Sequence, residues 1–364
     1  MIAAVLHGAE DLRLESVARP MAGPGEIVLR VDAALTCGTD LKVYRRGYHA
    51  KMLTPGRLFG HEAAGTIVEI GAGVTRFRVG DRVVPLNSAP CDECFWCRAG
   101  QPNLCEDLQF NNGAYAEYLR VPARIVEKNT LLLPDAMPFE HAALTEPLAC
   151  VMRGLEQSEV RSGQSVIVLG AGPIGLLFVH AASLLGADVT VVAKRLDQVG
   201  TARRFGANAV VRIGEVDDPV AAARELTPRQ HGADVVIEAV ATPEAWESAT
   251  LMARKGGTVN FFGGPPAGTA VRLDTNLLHY SELTLRASFH HTPATARAAF
   301  DLLASGRFDC EGFLTGRVSL DDVPQVFKRM LVRAPEGTKP EIKTVIEPWA
   351  GSHRESQRAA EATA

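Results

Sequence analysis

The sequence predicts an α/β protein in two parts: a β-rich amino-terminal domain, then a doubly wound parallel sheet. Three observations carry that expectation. Up to about residue 150 the chain reads as short alternating strands broken by turns. From about residue 163 it changes to strand–helix–strand units. At the first strand-to-helix turn stands "GAGPIG", Gly170 to Gly175. The 364 residues, 46% of them hydrophobic, suffice for two cores.

In order, the first part offers the strands "GEIVLRVDAALT", "AAGTIVEIGAG", "GDRVVPL" and "GAYAEYLRVPA", a mostly antiparallel set. The second part begins with strand "SVIVL", the glycine turn and an apolar helix to Leu185. Strand "DVTVVA", helix "QVGTARRFG" and strand "ADVVIEAV" follow, then the strands "GGTVNFFGG" and "ELTLRASF". After about residue 293, "TARAAFDLLASG" and "LDDVPQVFKRML" have helical periodicity, and "EIKTVIEP" reads as a final strand. The tail from Trp349, "WAGSHRESQRAAEATA", has little apolar periodicity and is expected to be mobile.

Composition excludes several function classes. Lys and Arg total 38 against 42 Asp and Glu, a net charge of -4 without long runs of one sign, which argues against nucleic acid or anionic membrane as partner. The start "MIAAVLHGAEDLRLE" lacks a basic lead and a long apolar core, so it is not read as a signal peptide, and a cytoplasmic location is expected. The uncharged run from Ser165 to Ala187 is long enough for a membrane span, but its glycines, Pro173 and His180 favour strand–turn–helix. In a reducing compartment, closely spaced cysteines are metal ligands more often than disulfides.

"GAGPIG" fits G-x-G-x-x-G directly after a strand and opening a helix. Gly170 permits the tight turn, Gly172 lets backbone approach a pyrophosphate, and Gly175 lets helix and strand pack; Pro173 and Ile174 complete the candidate dinucleotide site. An NAD-preferring fold usually ends its second strand with an acid that bonds the adenosine ribose. Here Ala193 stands in that place, followed by Lys194 and Arg195. Losing a carboxylate and gaining two cations suits a 2'-phosphate, so NADP(H) is expected over NAD(H); two solvated surface cations are the alternative.

Three further motifs carry metal-ligand chemistry. "CGTDLKVY" begins at Cys37, "GHEAAG" holds His61 and Glu62, and "TEPLAC" holds Glu146. A thiolate, an imidazole and carboxylates suit Zn²⁺ with an open position. Separately, "CDECFWCRAGQPNLC" places Cys91, Cys94, Cys97 and Cys105 within fifteen residues.

With "CGTD", "GHEAAGTIVEIGAGV", "GDRVV", the four-cysteine stretch, "GAYAEY", "EPLAC" and "GAGPIG" in this order, residues 1 to about 348 resemble a zinc-dependent medium-chain alcohol dehydrogenase. The branch is that of the sorbitol, polyol and threonine dehydrogenases. The resemblance implies a GroES-like catalytic domain over 1–150 with a structural-zinc lobe at 88–108, and an inserted Rossmann domain over 151–290. Residues 291–348 return to the catalytic domain, and 349–364 form the tail. It also implies an active site in the cleft between domains and a homo-oligomer, tetramer or dimer.

By position, Cys91, Cys94, Cys97 and Cys105 match the closed four-thiolate site. A ferredoxin needs a shorter last spacing, and a nucleic-acid finger needs more basic residues than Arg98. Cys37 and His61 match ligands of a second, catalytic zinc, with Glu62 and Glu146 completing or exchanging in its sphere; two zinc ions per chain are expected. Adjacent strand residues point to opposite faces, so His61 and Glu62 reach one ion only if Gly60 permits an irregular backbone. Thr39 matches the proton relay. Lys42 stands where the polyol branch commonly has histidine, and serves either as a donor or as a cofactor contact. His290 matches a segment bordering substrate, or is an ordinary loop histidine. The implied reaction moves hydride between NAD(P) and a secondary alcohol on a polyol, sugar, cyclitol or aminocyclitol. The alternatives are an L-threonine 3-dehydrogenase-like enzyme and a catalytically silent NADPH-binding sensor or structural protein.

Overall fold

The computed structural model describes residues 1–49, 52–332 and 341–350. They divide into two compact units, one of residues 1–149, 292–332 and 341–350, the other of residues 150–291.

The first unit is built on a seven-stranded sheet. Its order is Thr130–Leu132, Arg82–Pro85, Glu62–Ile70, Ile27–Leu35, Lys343–Glu347, Leu314–Ser319, with Tyr118–Val121 also pairing Ile27–Leu35. All ladders are antiparallel except Leu314–Ser319 with Lys343–Glu347. The central strand "IVLRVDAAL" is rich in β-branched and small apolar residues and is buried along nearly its whole length. Its end fixes the site, because Leu35 pairs Glu62 on one side and Val345 on the other. The chain that returns after residue 291 therefore lies one strand over from Glu62–Ile70, across Ile27–Leu35.

Two residues past Leu35 the chain turns into the helix Gly38–Arg46. Cys37 is its N-cap, with extended backbone and a sulfur that accepts from the Thr39 amide, and Gly47 closes it at φ 83°. This helix was not read from the sequence. Nor does the tail begin at Trp349. That indole is buried against the Tyr118 ring, centroids 5.4 Å apart, so an aromatic anchor extends the returning segment. The rest of the predicted tail, 351–364, lies outside the described residues.

The second unit holds a six-stranded, all-parallel sheet in the order Ala209–Arg212, Asp188–Ala193, Ser165–Leu169, Ala233–Glu238, Ala253–Phe261, Thr284–Ala287. Numbered along the chain this is 3-2-1-4-5-6, the doubly wound dinucleotide-binding order whose direction reverses beside the first strand. Ile167, Val192, Val236, Val259 and Phe261 form the core between sheet and helices, and Trp246 stacks on Phe261. The run that is long enough for a membrane span is the strand Ser165–Leu169 and the helix Pro173–Leu184. Among the described residues no helix is long and apolar enough to cross a membrane.

Candidate active site

In the first unit, Cys37, His61 and Glu62 each place one ligand atom within 4.8 Å of the other two. The condition set by adjacency is met at Gly60, which has φ 87°. A Cβ there would stand 2.6 Å from the Tyr115 ring, so only glycine allows the irregular backbone that brings His61 and Glu62 to one place. His61 Nδ1 is 2.8 Å from Asp40 Oδ1, and the Tyr115 hydroxyl bonds Asp40 Oδ2 at 2.6 Å and Leu35 O at 3.0 Å. A carboxylate at Nδ1 fixes the ring and leaves Nε2 as the ligand atom, the orienting arrangement of metal-binding histidines.

Glu62 is fully buried and faces Lys343, whose Nζ donates to its two oxygens at 2.6 and 2.8 Å and to Thr36 O at 3.0 Å. Burial works most strongly against the Lys343 ammonium, but the charge and hydrogen bonds of Glu62, with Cys37 and Glu146, together outweigh it and hold the group above its usual range. Glu146, at the start of the helix Thr145–Gln157, is also buried and is not part of the Cys37–His61–Glu62 group. Burial first, then the Glu62 charge, pushes its carboxyl up to about 7, against the pull of His61 and Lys343. Thr39 is half-buried in the first turn of the helix that Cys37 caps, and Lys42 is exposed further along it. Sequence reasoning missed Asp40, Tyr115 and Lys343, which hold the candidate ligands in place.

The four-cysteine lobe is a separate constellation. The short hairpin pairing Ser88–Ala89 with Gln109–Phe110 closes its base. The Cys91–Cys97, Cys94–Cys97 and Cys91–Cys105 sulfurs are 3.9, 3.5 and 3.4 Å apart, too far for disulfides, and all four cysteines are free. A zinc tetrathiolate with arms of ~2.3 Å has edges of ~3.8 Å, so the cradle fits that ion. Amides of Cys97 and Glu106 bring Cys94 down to about 6, whereas burial and the neighbouring thiols take Cys97 up to about 12, so without metal one thiolate is favoured beside a retained proton. Lys128 ties the lobe down through Pro90 O, Cys91 O and Asp92.

In the second unit the glycine turn has the form its motif requires. Gly170 has φ 99°, and a Cβ on Gly175 would lie 1.9 Å from Gly170 O. A Cβ on Gly172 would meet nothing within 4 Å, which leaves backbone open to a ligand at the helix N-terminus, with Pro173 as first helical residue and Ile174 next. Ala193 ends the second strand and is buried, and Lys194 is exposed. Arg195 departs from expectation. Its Nε and Nη2 already pair with Asp197, at 2.8 and 2.6 Å, so this edge of the fork is engaged within the chain. His290 belongs to the second unit, is half-buried at φ 61°, and its ring lies 4.1 Å from that of His291.

A doubly wound sheet with this glycine turn, in one chain with a half-buried thiol beside a buried imidazole and carboxylate, has the residues of a metal-assisted dehydrogenase. Residues 23–135 match the family described as alcohol dehydrogenase GroES-like domain, and residues 173–305 that described as zinc-binding dehydrogenase. The chain is 30% identical over 339 residues to sorbitol dehydrogenase of Bacillus subtilis, covering 91% of this chain and 94% of that one. It is 32% identical over 332 residues to L-threonine 3-dehydrogenase of Pyrococcus abyssi, covering 89% and 92%. The structure of a zinc-binding dehydrogenase from Sinorhizobium meliloti 1021, bound to NADP, superposes with a TM-score of 0.87 at 32% identity, covering 95% of this chain and 99% of that one. The chain belongs to the zinc-dependent medium-chain alcohol dehydrogenase family and is an NAD(P)-linked oxidoreductase of that family.

Proposed function

We propose that this enzyme oxidises a secondary alcohol on a polyol, sugar, cyclitol or aminocyclitol, or reduces the matching ketone, with NADP(H) favoured over NAD(H) and two zinc ions per chain. The observation that carries the reading is the convergence of Cys37, His61 and Glu62 at the Gly60 turn, a mixed donor set of the kind that leaves a coordination position open. Cys37 and His61 would hold the catalytic ion, with Glu62 and Glu146 completing or exchanging in its sphere; Cys91, Cys94, Cys97 and Cys105 would hold the structural one. A zinc ion held there would supply Lewis acidity toward a substrate hydroxyl, and a nicotinamide cofactor held at the glycine turn would supply the hydride-transfer chemistry.

The chain's own residues do the rest. Asp40 holds the Nδ1 proton of His61, and Tyr115 in turn holds Asp40. The Thr39 hydroxyl takes the proton leaving the substrate alcohol and passes it outward, with Lys42 as donor or cofactor contact beyond it. Lys343 holds Glu62 through both its oxygens and favours the carboxylate form against burial, which pushes that carboxyl up. Ala193 removes the acid that would repel a 2'-phosphate, and Lys194 and Arg195 bring positive charge to the same strand end.

Support for the polyol class comes from the match to an enzyme named sorbitol dehydrogenase along nearly the whole chain. A panel of polyols, cyclitols, aminocyclitols, threonine and simple secondary alcohols, read at the reduced-nicotinamide band with each cofactor, tests it. Turnover of polyols or cyclitols is expected; turnover of threonine alone overturns the substrate reading. For the cofactor, Ala193→Asp with Arg195→Ala is expected to reverse the ratio of kcat/KM values for NADP and NAD, and a parent enzyme that already prefers NAD refutes the assignment.

A further inference from the structure

Arg195 is held by two carboxy-terminal neighbours, and each bears on the cofactor. Gln198 accepts from the amides of Lys194 and Arg195 at 3.2 and 3.1 Å and donates to Ala171 O inside the glycine turn at 3.2 Å, which fixes the basic pair relative to the phosphate-binding backbone. Asp197 takes the Nε and Nη2 hydrogens of Arg195 in a bidentate pair, and its side chain is 5% accessible against 24% for the arginine. Two donors of the guanidinium are therefore spent inside the protein, and its charge is countered by a carboxylate that water barely reaches.

The two cofactors differ at one position, where NADP carries a phosphate monoester and NAD a neutral hydroxyl. A phosphate on the remaining donors of Arg195 would stand about one guanidinium width from the Asp197 carboxylate and be repelled by it. A ribose hydroxyl carries no charge and is not.

We propose that Asp197 is a specificity-determining residue, which holds the charge of Arg195 in an internal pair and so weakens discrimination in favour of NADP(H); this rests on the proposed role of Arg195 at the adenosine 2'-position. The variant Asp197→Asn keeps the shape and removes the charge. Released from its pair, Arg195 offers its full charge to the phosphate.

The test uses the whole enzyme as parent, Asp197→Asn, Arg195→Ala and the double variant. Two readouts are taken: the NADP/NAD ratio of kcat/KM, and binding of adenosine 2',5'-bisphosphate against 5'-AMP, probes that differ only in the 2'-phosphate. Asp197→Asn is expected to raise the ratio about tenfold, the scale for one unit charge some 6 Å away in a partly hydrated site, and to tighten the bisphosphate more than 5'-AMP. In the Arg195→Ala background, where the donor that holds the phosphate is gone and only the direct repulsion remains, the same change is expected to raise the ratio clearly less. A ratio that stays or falls in Asp197→Asn overturns the inference, as does an equal rise without Arg195. Arg195→Ala alone reads the underlying assignment. If it weakens the bisphosphate while Asp197→Asn changes nothing, the assignment of Arg195 stands and the inference falls; if it changes nothing, both fall.

Discussion

Lys343→Met removes the ammonium from the centre of the first unit and keeps the chain length. In the parent, Nζ bonds both Glu62 oxygens, at 2.6 and 2.8 Å, and Thr36 O at 3.0 Å, and the two side chains are 2% and 0% accessible. The substitution strands a carboxylate without a counter-charge and a carbonyl without a donor. Breaking a buried pair from one side costs about 3–5 kcal/mol, and the lost carbonyl bond about 1 kcal/mol more. At about 2–4 °C per kcal/mol for a unit of this size, the melting temperature should fall by roughly 10–20 °C. Adding Glu62→Gln removes the stranded charge and should recover about half of the loss, which a double-mutant cycle measures. Thermal unfolding gives the magnitude, and amide exchange in the strand Ile27–Leu35 assigns it to this unit. The reasoning is refuted if Lys343→Met melts within about 2 °C of the parent, or if the double variant is no better than the single one.

Tyr115→Phe removes the hydroxyl that bonds Asp40 at 2.6 Å, so zinc affinity at the catalytic site should fall on the order of tenfold in chelator competition; unchanged affinity would show that His61 needs no such support. Gly60→Ala puts a methyl group 2.6 Å from the Tyr115 ring at φ 87° and should cost more than about 2 kcal/mol in urea unfolding; a near-neutral result would mean the turn can relax. Thr39→Val should lower turnover about a hundredfold with zinc content intact, and unchanged turnover at every pH removes Thr39 from the proton path. Lys42→Ala should weaken cofactor binding more than turnover if that exposed lysine contacts cofactor, and turnover more than binding if it is a donor.

The parallel half of the fold was legible because its strands are short apolar runs joined by a glycine turn of known meaning, and such runs are what a sheet buried on both faces requires. The strand Ala209–Arg212 and the helices Pro219–Glu225 and Pro243–Met252 were not, being short and only partly buried, with little periodicity to detect. The helix Gly38–Arg46 was hidden inside a motif; Arg45 and Arg46 in its last turn and Gly47 after it were the available stop signals. At the site, motifs marked the candidate ligands but not what holds them. Asp40 and His61 are 21 residues apart, and Glu62 and Lys343 are 281 apart, so their pairing depends on strand register that no local pattern contains. A lysine inside the apolar strand "EIKTVIEP" was the one hint that an acid waits opposite. Arg195 was legible in its type, which suits a phosphate contact, but its pairing with Asp197 two residues on was not read from the sequence.

Zinc content, measured by elemental analysis beside activity, in the parent and in Cys37→Ser, tests the central claim most directly. The account predicts two ions per chain in the parent, and in the variant one ion retained by the four-cysteine lobe with dehydrogenase activity gone. One ion per chain in both proteins, or activity that survives Cys37→Ser, would contradict it.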